Sequence, residues 1–189
     1  MMTCIVGLVD DGKVYIGGDS AGVAGYEITV RADRKVFKNS EFLMGCTGSF
    51  RMGQLLRYRF IPPKRHPSVD IYEYMVTDFI DIVRDCLKAG GFAKKKEEEE
   101  IGGTFLVGYQ GKLFVIWDDY QVGEPVDPFE AVGCGRDIAL GVMYATRDRP
   151  PKERIKIALE AAERFSGGVC GPFVIEVLDG SEMVLQTRK

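Results

Sequence analysis

The sequence predicts an α+β fold in four layers: two antiparallel sheets packed face to face, with a pair of helices outside each. Strand-like and helix-like stretches arrive in blocks: strands, two helices, strands, two helices, strands. A parallel sheet would need βαβ alternation instead. Short turns at Asp10-Asp11-Gly12, Gln110-Gly111 and Asp179-Gly180 separate neighbouring apolar runs, as antiparallel hairpins require. The longest helical stretch carries two adjacent apolar rows, a face wide enough to press onto a sheet.

Thr3 opens the first strand, and Asp19 ends the return strand that begins at Lys13. A second hairpin is expected from Tyr26 to Val30, returning over Lys35 to Lys38. Thr3, Asp19 and Lys35 are spaced sixteen residues apart, and a meander of short strands brings such residues to one end of one sheet. Phe42-Leu43-Met44 reads as a buried strand running into Gly45-Cys46-Thr47-Gly48. A helix follows from about Ser49 to Phe60, with Met52, Leu55, Leu56 and Phe60 on one stripe, and Pro62-Pro63 ends it. The next helix spans about Val69 to Ala89, capped by Ser68 or Asp70 and stopped at Gly90-Gly91. The run Lys94 to Glu100 reads as a solvated helix end or loop with internal charge pairing.

Thr104 to Tyr109 and Lys112 to Trp117 form the next hairpin, followed by a polar loop to Pro128. Ala131-Val132-Gly133-Cys134-Gly135 leads into a helix from about Arg136 to Thr146. The last helix starts at Pro150-Pro151, where proline is tolerated, and Ser166-Gly167-Gly168 breaks it. Phe173 to Leu178 and Met183 to Thr187 close the chain as a hairpin. No linker or repeat interrupts residues 1–189, so one domain is expected.

Composition excludes several classes. A net charge of −3 gives no surface for nucleic acid or membrane, and no apolar run reaches the length of a span. No signal peptide is visible. The five cysteines are odd in number and lack CxxC spacing, which argues for reduced thiols in a cytoplasmic protein and against a disulfide framework or a zinc site. The single histidine, His66, lies in a proline-flanked loop, so neither a histidine metal cluster nor a Ser-His mechanism is expected.

Thr3 carries the most specific chemistry. A hydroxyl is a weak nucleophile until a base takes its proton. If Thr3 becomes the first residue, its own α-amine is that base, because an α-amine titrates near ~8 against ~10.4 for lysine. A nearby lysine ammonium would keep the amine neutral and favour the ionised hydroxyl. Asp19 would hold Lys35 charged and in place. Each residue alone has an ordinary structural explanation; the set has a mechanism.

Thr3-Cys-Ile-Val-Gly, Gly18-Asp19, Arg34-Lys35-Val36 and Gly45-Cys46-Thr47-Gly48 together resemble the proteasome β-subunit family, with its bacterial HslV-type ring members closest. The resemblance covers nearly the whole chain at low identity. It implies an αββα sandwich of the N-terminal nucleophile hydrolase type, with Thr3 as nucleophile and base, and Asp19 and Lys35 in support. It places the oxyanion-hole glycine at Gly45, with Gly48 as second choice. It also implies a threonine peptidase without cofactor or metal, acting on peptides or unfolded protein inside a homo-oligomeric ring, fed by an AAA+ ATPase or working alone.

The chain departs from the family pattern in three places. Cys134 stands where a serine touches the terminal amine. Ser166 and Val169 replace an aspartate and a serine, or Glu163 and Ser166 do after a slide of three. Met1-Met2 must leave before Thr3 has a free amine. A catalytically silent ring-former and a small-molecule amidase are therefore the rival readings.

Overall fold

A computed structural model describes residues 2–92, 94–96 and 99–180. The first sheet runs in the order β12 (Phe129–Gly133), β1 (Cys4–Asp10), β2 (Lys13–Gly18), β13 (Val174–Asp179). The second runs β11 (Val122–Gly123), β10 (Lys112–Ile116), β9 (Phe105–Tyr109), β6 (Phe42–Cys46), β5 (Val36–Asn39). All pairings in both are antiparallel. Two short hairpins stand apart: β3 (Ala21–Ala24) with β4 (Glu27–Val30), and β7 (Lys94–Lys96) with β8 (Glu99–Ile101).

Side chains alternate across each strand, so each sheet feeds two cores. Ile5, Ile16, Leu43 and Leu106 meet between the sheets. Cys4, Val6 and Leu8, one residue out of phase with Ile5, pack outward against helices α4 (Arg136–Ala145) and α5 (Pro151–Phe165). On the far side Phe42, Met44 and Val107 pack against α1 (Phe50–Tyr58), α2 (Ile71–Tyr74) and α3 (Ile80–Ala89). Phe42 stacks on Tyr109 at 4.3 Å and on Phe79 at 5.0 Å, which anchors that outer layer. The four layers are therefore helices, sheet, sheet, helices. No helix among the described residues is long and apolar enough to cross a membrane.

The helix termini follow local chemistry. Ser49 caps α1 by accepting from the Arg51 and Met52 backbone N–H groups, and Asp70 caps α2 through Tyr72 and Glu73. The second helical stretch begins at Ile71 rather than Val69. It is continuous to Ala89, but Met75–Phe79 forms a π-helical turn between α2 and α3. Met75, Phe79 and Val83, at helical spacing, all point inward.

Several strand assignments differ from the sequence expectation. The stretch from Tyr26 to Val30 does not pair with Lys35 to Lys38. It returns on β3 through a turn at Gly25-Tyr26, where Gly25 has φ of +61°. β5 instead pairs with β6 across Ser40-Glu41, with Ser40 at φ +54°. Ser-Glu is a weak turn signal, and Ala-Gly-Tyr hides a strong one between polar and apolar neighbours.

In place of the expected helix end or loop, Lys94–Lys96 and Glu99–Ile101 pair as two short strands. The register sets Lys95 opposite Glu100 and Lys96 opposite Glu99. Phe129 to Gly133 is a strand rather than a lead-in to helix, and it covers the side of β1 away from β2. Hence Thr3 opens a central strand of its sheet. β13 pairs with β2, and the expected return strand from Met183 to Thr187 lies outside the described residues.

Candidate active site

Asp19 and Thr3 come from neighbouring strands of one sheet. Thr3 directly precedes β1, and Asp19 directly follows β2. The Asp19 N–H donates to the Cys4 carbonyl at 3.3 Å, extending the β1–β2 ladder by one rung. Lys35 belongs to the other sheet. It directly precedes β5, and its carbonyl accepts from the Cys46 N–H of β6 at 2.9 Å. The three residues therefore meet where the ends of two facing sheets converge, not at one end of one sheet.

The structure brings Thr3, Asp19 and Lys35 into direct contact. Lys35 Nζ donates to Thr3 Oγ1 at 2.8 Å and to both Asp19 oxygens at 2.9 Å. An ammonium has three donors, and all three are used. The Asp19 carboxylate also accepts from the Cys4 N–H at 3.0 Å and the Ala21 N–H at 2.9 Å. Thr3, Asp19 and Lys35 are 1%, 2% and 7% exposed, so this network is nearly dry. Burial draws the Lys35 ammonium below the ordinary lysine range, against the opposing pull of Asp19.

The backbone around Thr3 is held by the β12–α4 turn. Gly133 has φ of +100°, and a side chain there would place its Cβ 2.1 Å from the Thr3 carbonyl oxygen. Only glycine permits that approach. The turn carries Cys134 to Thr3: the Thr3 N–H donates to Cys134 Sγ at 3.3 Å, and the thiol reaches the Thr3 carbonyl at 3.5 Å. Ser166 Oγ donates to the same sulfur at 3.1 Å. Thr3 Oγ1 also donates to the Met2 carbonyl oxygen.

The other departures from the family pattern sit further off. Val169 packs in the outer core with α4 and α5. Glu163 accepts from the Gly171 N–H at 2.7 Å. Cys4 and Cys46 are buried; burial pushes the Cys4 thiol up to about 12 and the Cys46 thiol up as well, so both stay protonated.

Gly45 lies inside β6, buried, with its Cα facing Ile5 and Ile16 of the inter-sheet core. The Cys46 N–H turns to β5 and the Thr47 N–H to the Thr104 carbonyl beside β9. Gly45 shares the parity of Thr47, so its N–H is directed at β9, its register partner there being Leu106. Gly45 is not among the residues lining the cavities beside Thr3. Gly48, at φ +73°, lines two of them.

One of these is a cleft of about 200 Å³ between Thr3 and α1. Phe50, Gly53, Gln54 and Arg57 of α1 border it, with Asp33 and Arg34 on the other side. The apolar stripe of α1, formed by Met52, Leu55 and Leu56, does not include these residues. Their spacing of i, i+3, i+4 and i+7 marks the opposite stripe, a signal present in the sequence. Among the described residues no three His, Cys, Asp or Glu side chains gather as metal ligands.

No protein-family model matches the chain, and no curated protein matches its sequence. Solved structures do match its fold. The BPH protein of Thiobacillus denitrificans, free or in complex with epoxomicin, superimposes with a TM-score of 0.77 at 21% identity, over 95% of this chain and 100% of that one. Eukaryotic HslV from Trypanosoma brucei gives 0.65 at 16% identity, over 94% and 99%. Anbu, described as an ancestral beta-subunit, from Yersinia bercovieri gives 0.66 at 18%, over 95% and 84%. The chain thus has the N-terminal nucleophile hydrolase fold in its proteasome-like form. At these identities the likeness concerns the fold.

Proposed function

We propose that the chain is a threonine-type endopeptidase in which Thr3, once it is the first residue, attacks a peptide carbonyl. The observation that carries this reading is the buried contact of Lys35 Nζ with Thr3 Oγ1 at 2.8 Å, backed by both oxygens of Asp19. The α-amine of Thr3 takes the Oγ1 proton as Oγ1 bonds to the carbonyl carbon. The oxyanion forms beside Gly48, at the N-terminal end of α1, where the helix dipole favours negative charge. Gly48 therefore replaces Gly45 in that role. The amine then gives its proton to the leaving nitrogen, leaving an ester on Thr3. Water, deprotonated by the same amine, releases the acyl group.

Cys134 holds the amine in this scheme through its sulfur, and Ser166 fixes the thiol. A thiol is a weak donor and acceptor, so the hold is softer than a serine's. The reading extends to a homo-oligomeric ring, an AAA+ ATPase that feeds it, and a reducing cytoplasm suited to the five free cysteines. A catalytically silent ring-former is the second reading. It is favoured by one feature: with Met2 attached, the Thr3 nitrogen is an amide whose N–H is donated to Cys134 and cannot act as a base.

The two readings separate on the chain end. A chain beginning at Thr3 is expected to hydrolyse fluorogenic peptides about 10²–10⁴ times faster than one that retains Met2, the usual value of a general base. Equal rates would remove the N-terminal mechanism. The pH profile gives a second check. Activity should rise as the α-amine loses its proton near ~8, less the effect of the adjacent ammonium. It should fall again as Lys35 deprotonates. Because burial lowers the Lys35 pKa, that alkaline fall is expected below the ordinary lysine value of 10.5. Rates measured from pH 6 to 11 check this, and a plateau through ~10.5 counts against a role for the ammonium.

A further inference from the structure

The charged side chains around the cleft beside Thr3 are unequally matched. Asp33 is engaged by Arg31 through two contacts of 2.7 Å. Arg34 is paired with Glu176 at 3.0 Å, and Lys35 is consumed by Asp19 and Thr3. Arg57 is different. Its guanidinium lies 5.8 Å from the Phe37 ring and 5.1 Å from the Tyr58 ring, and among the described residues no carboxylate pairs with it. It is half-buried on α1, on the stripe that faces the cleft. The Arg31 guanidinium is likewise committed, stacked 3.9 Å from the Phe50 ring as well as paired. The cleft therefore presents one uncompensated positive charge, beside aromatic neighbours, in the same cavity that Thr3 lines.

We propose that Arg57 makes this cleft a subsite for an acidic side chain, so that the enzyme prefers glutamate or aspartate on the acyl side of the scissile bond. The proposal rests on the peptidase reading. A substrate carbonyl at Thr3 Oγ1 places the side chain of the acyl residue at the mouth of the cleft. A guanidinium offers a carboxylate two parallel N–H donors, which an amide of the same shape cannot use equally. The aromatic neighbours leave the guanidinium weakly hydrated and ready to pair.

The test compares fluorogenic peptides that differ only in that residue: glutamate, glutamine, leucine and lysine. With the chain beginning at Thr3, kcat/KM for glutamate is expected to exceed that for glutamine by about 10- to 100-fold, the range of a charge-assisted hydrogen bond. Arg57→Gln should bring that ratio close to one, and Arg57→Lys should keep its direction with a smaller size. Because the readout is a ratio within each variant, a general loss of folded protein does not imitate it. A native ratio near one, or a ratio that Arg57→Gln leaves untouched, overturns the subsite while the peptidase reading stands. No hydrolysis of any of the four peptides overturns both.

Discussion

Thr3→Ala is expected to abolish peptide hydrolysis, with a loss on the order of 10⁴–10⁶ in kcat, as when the nucleophile of a comparable hydrolase is removed. The substitution takes away Oγ1 and leaves the Lys35–Asp19 pair intact, since that pair depends on contacts of 2.9 Å that do not involve Thr3. Folding should therefore survive, and the denaturation midpoint should move little. Thr3→Ser keeps the hydroxyl and should retain a measurable part of the rate. The measurement is initial rate on a fluorogenic peptide, with urea unfolding run beside it. Unaltered hydrolysis by the alanine variant would place the chemistry elsewhere on the molecule.

The second large effect is on stability. Asp19→Ala leaves the Lys35 ammonium buried beside a hole and strips the acceptor from the Cys4 and Ala21 N–H groups. Breaking one side of a buried ion pair costs about 3–5 kcal/mol, because the survivor remains desolvated without its partner. Lys35→Met should cost less, since the Asp19 carboxylate keeps two backbone donors. The double variant Asp19→Ala, Lys35→Met should be more stable than the sum of the single losses predicts, the excess being the coupling between the two sites. Guanidinium unfolding of all four proteins gives these differences. An Asp19→Ala loss under ~1 kcal/mol would mean that the site admits water or rearranges.

The block order of the chain made the four layers legible, because turn residues such as Asp11-Gly12 and Gln110-Gly111 are local and helix stripes are periodic. What escaped was which neighbour each short strand folds back on. Nothing in Lys35 to Lys38 says that it joins Phe42 rather than Tyr26, since both partners are apolar and the deciding turns are Ser40-Glu41 and Gly25-Tyr26. β12 escaped because five residues against the start of a helix give too little alternation to separate strand from helix.

Chemistry singles out the trio Thr3, Asp19 and Lys35 in the sequence, and the structure gathers it by a route that spacing alone does not describe: one strand pair from one sheet and an edge strand from the other. Gly45 and Gly48 look alike in sequence. They part only in the fold: Gly45 sits inside β6, opposite Leu106 of β9, and Gly48 lies beyond the strand at φ +73°.

Because Thr3 and Asp19 belong to one sheet and Lys35 to the other, the reacting hydroxyl works as a gauge of the gap between them. The filling of that gap, by Ile5, Ile16, Val36 and Leu43, sets the separation across which a lysine must reach. A methyl group lost there acts at the Nζ–Oγ1 distance without touching either atom. On the peptidase reading, evolution of this interior is tethered to turnover, and drift that another protein would absorb as a small change in melting point would be answered here in rate.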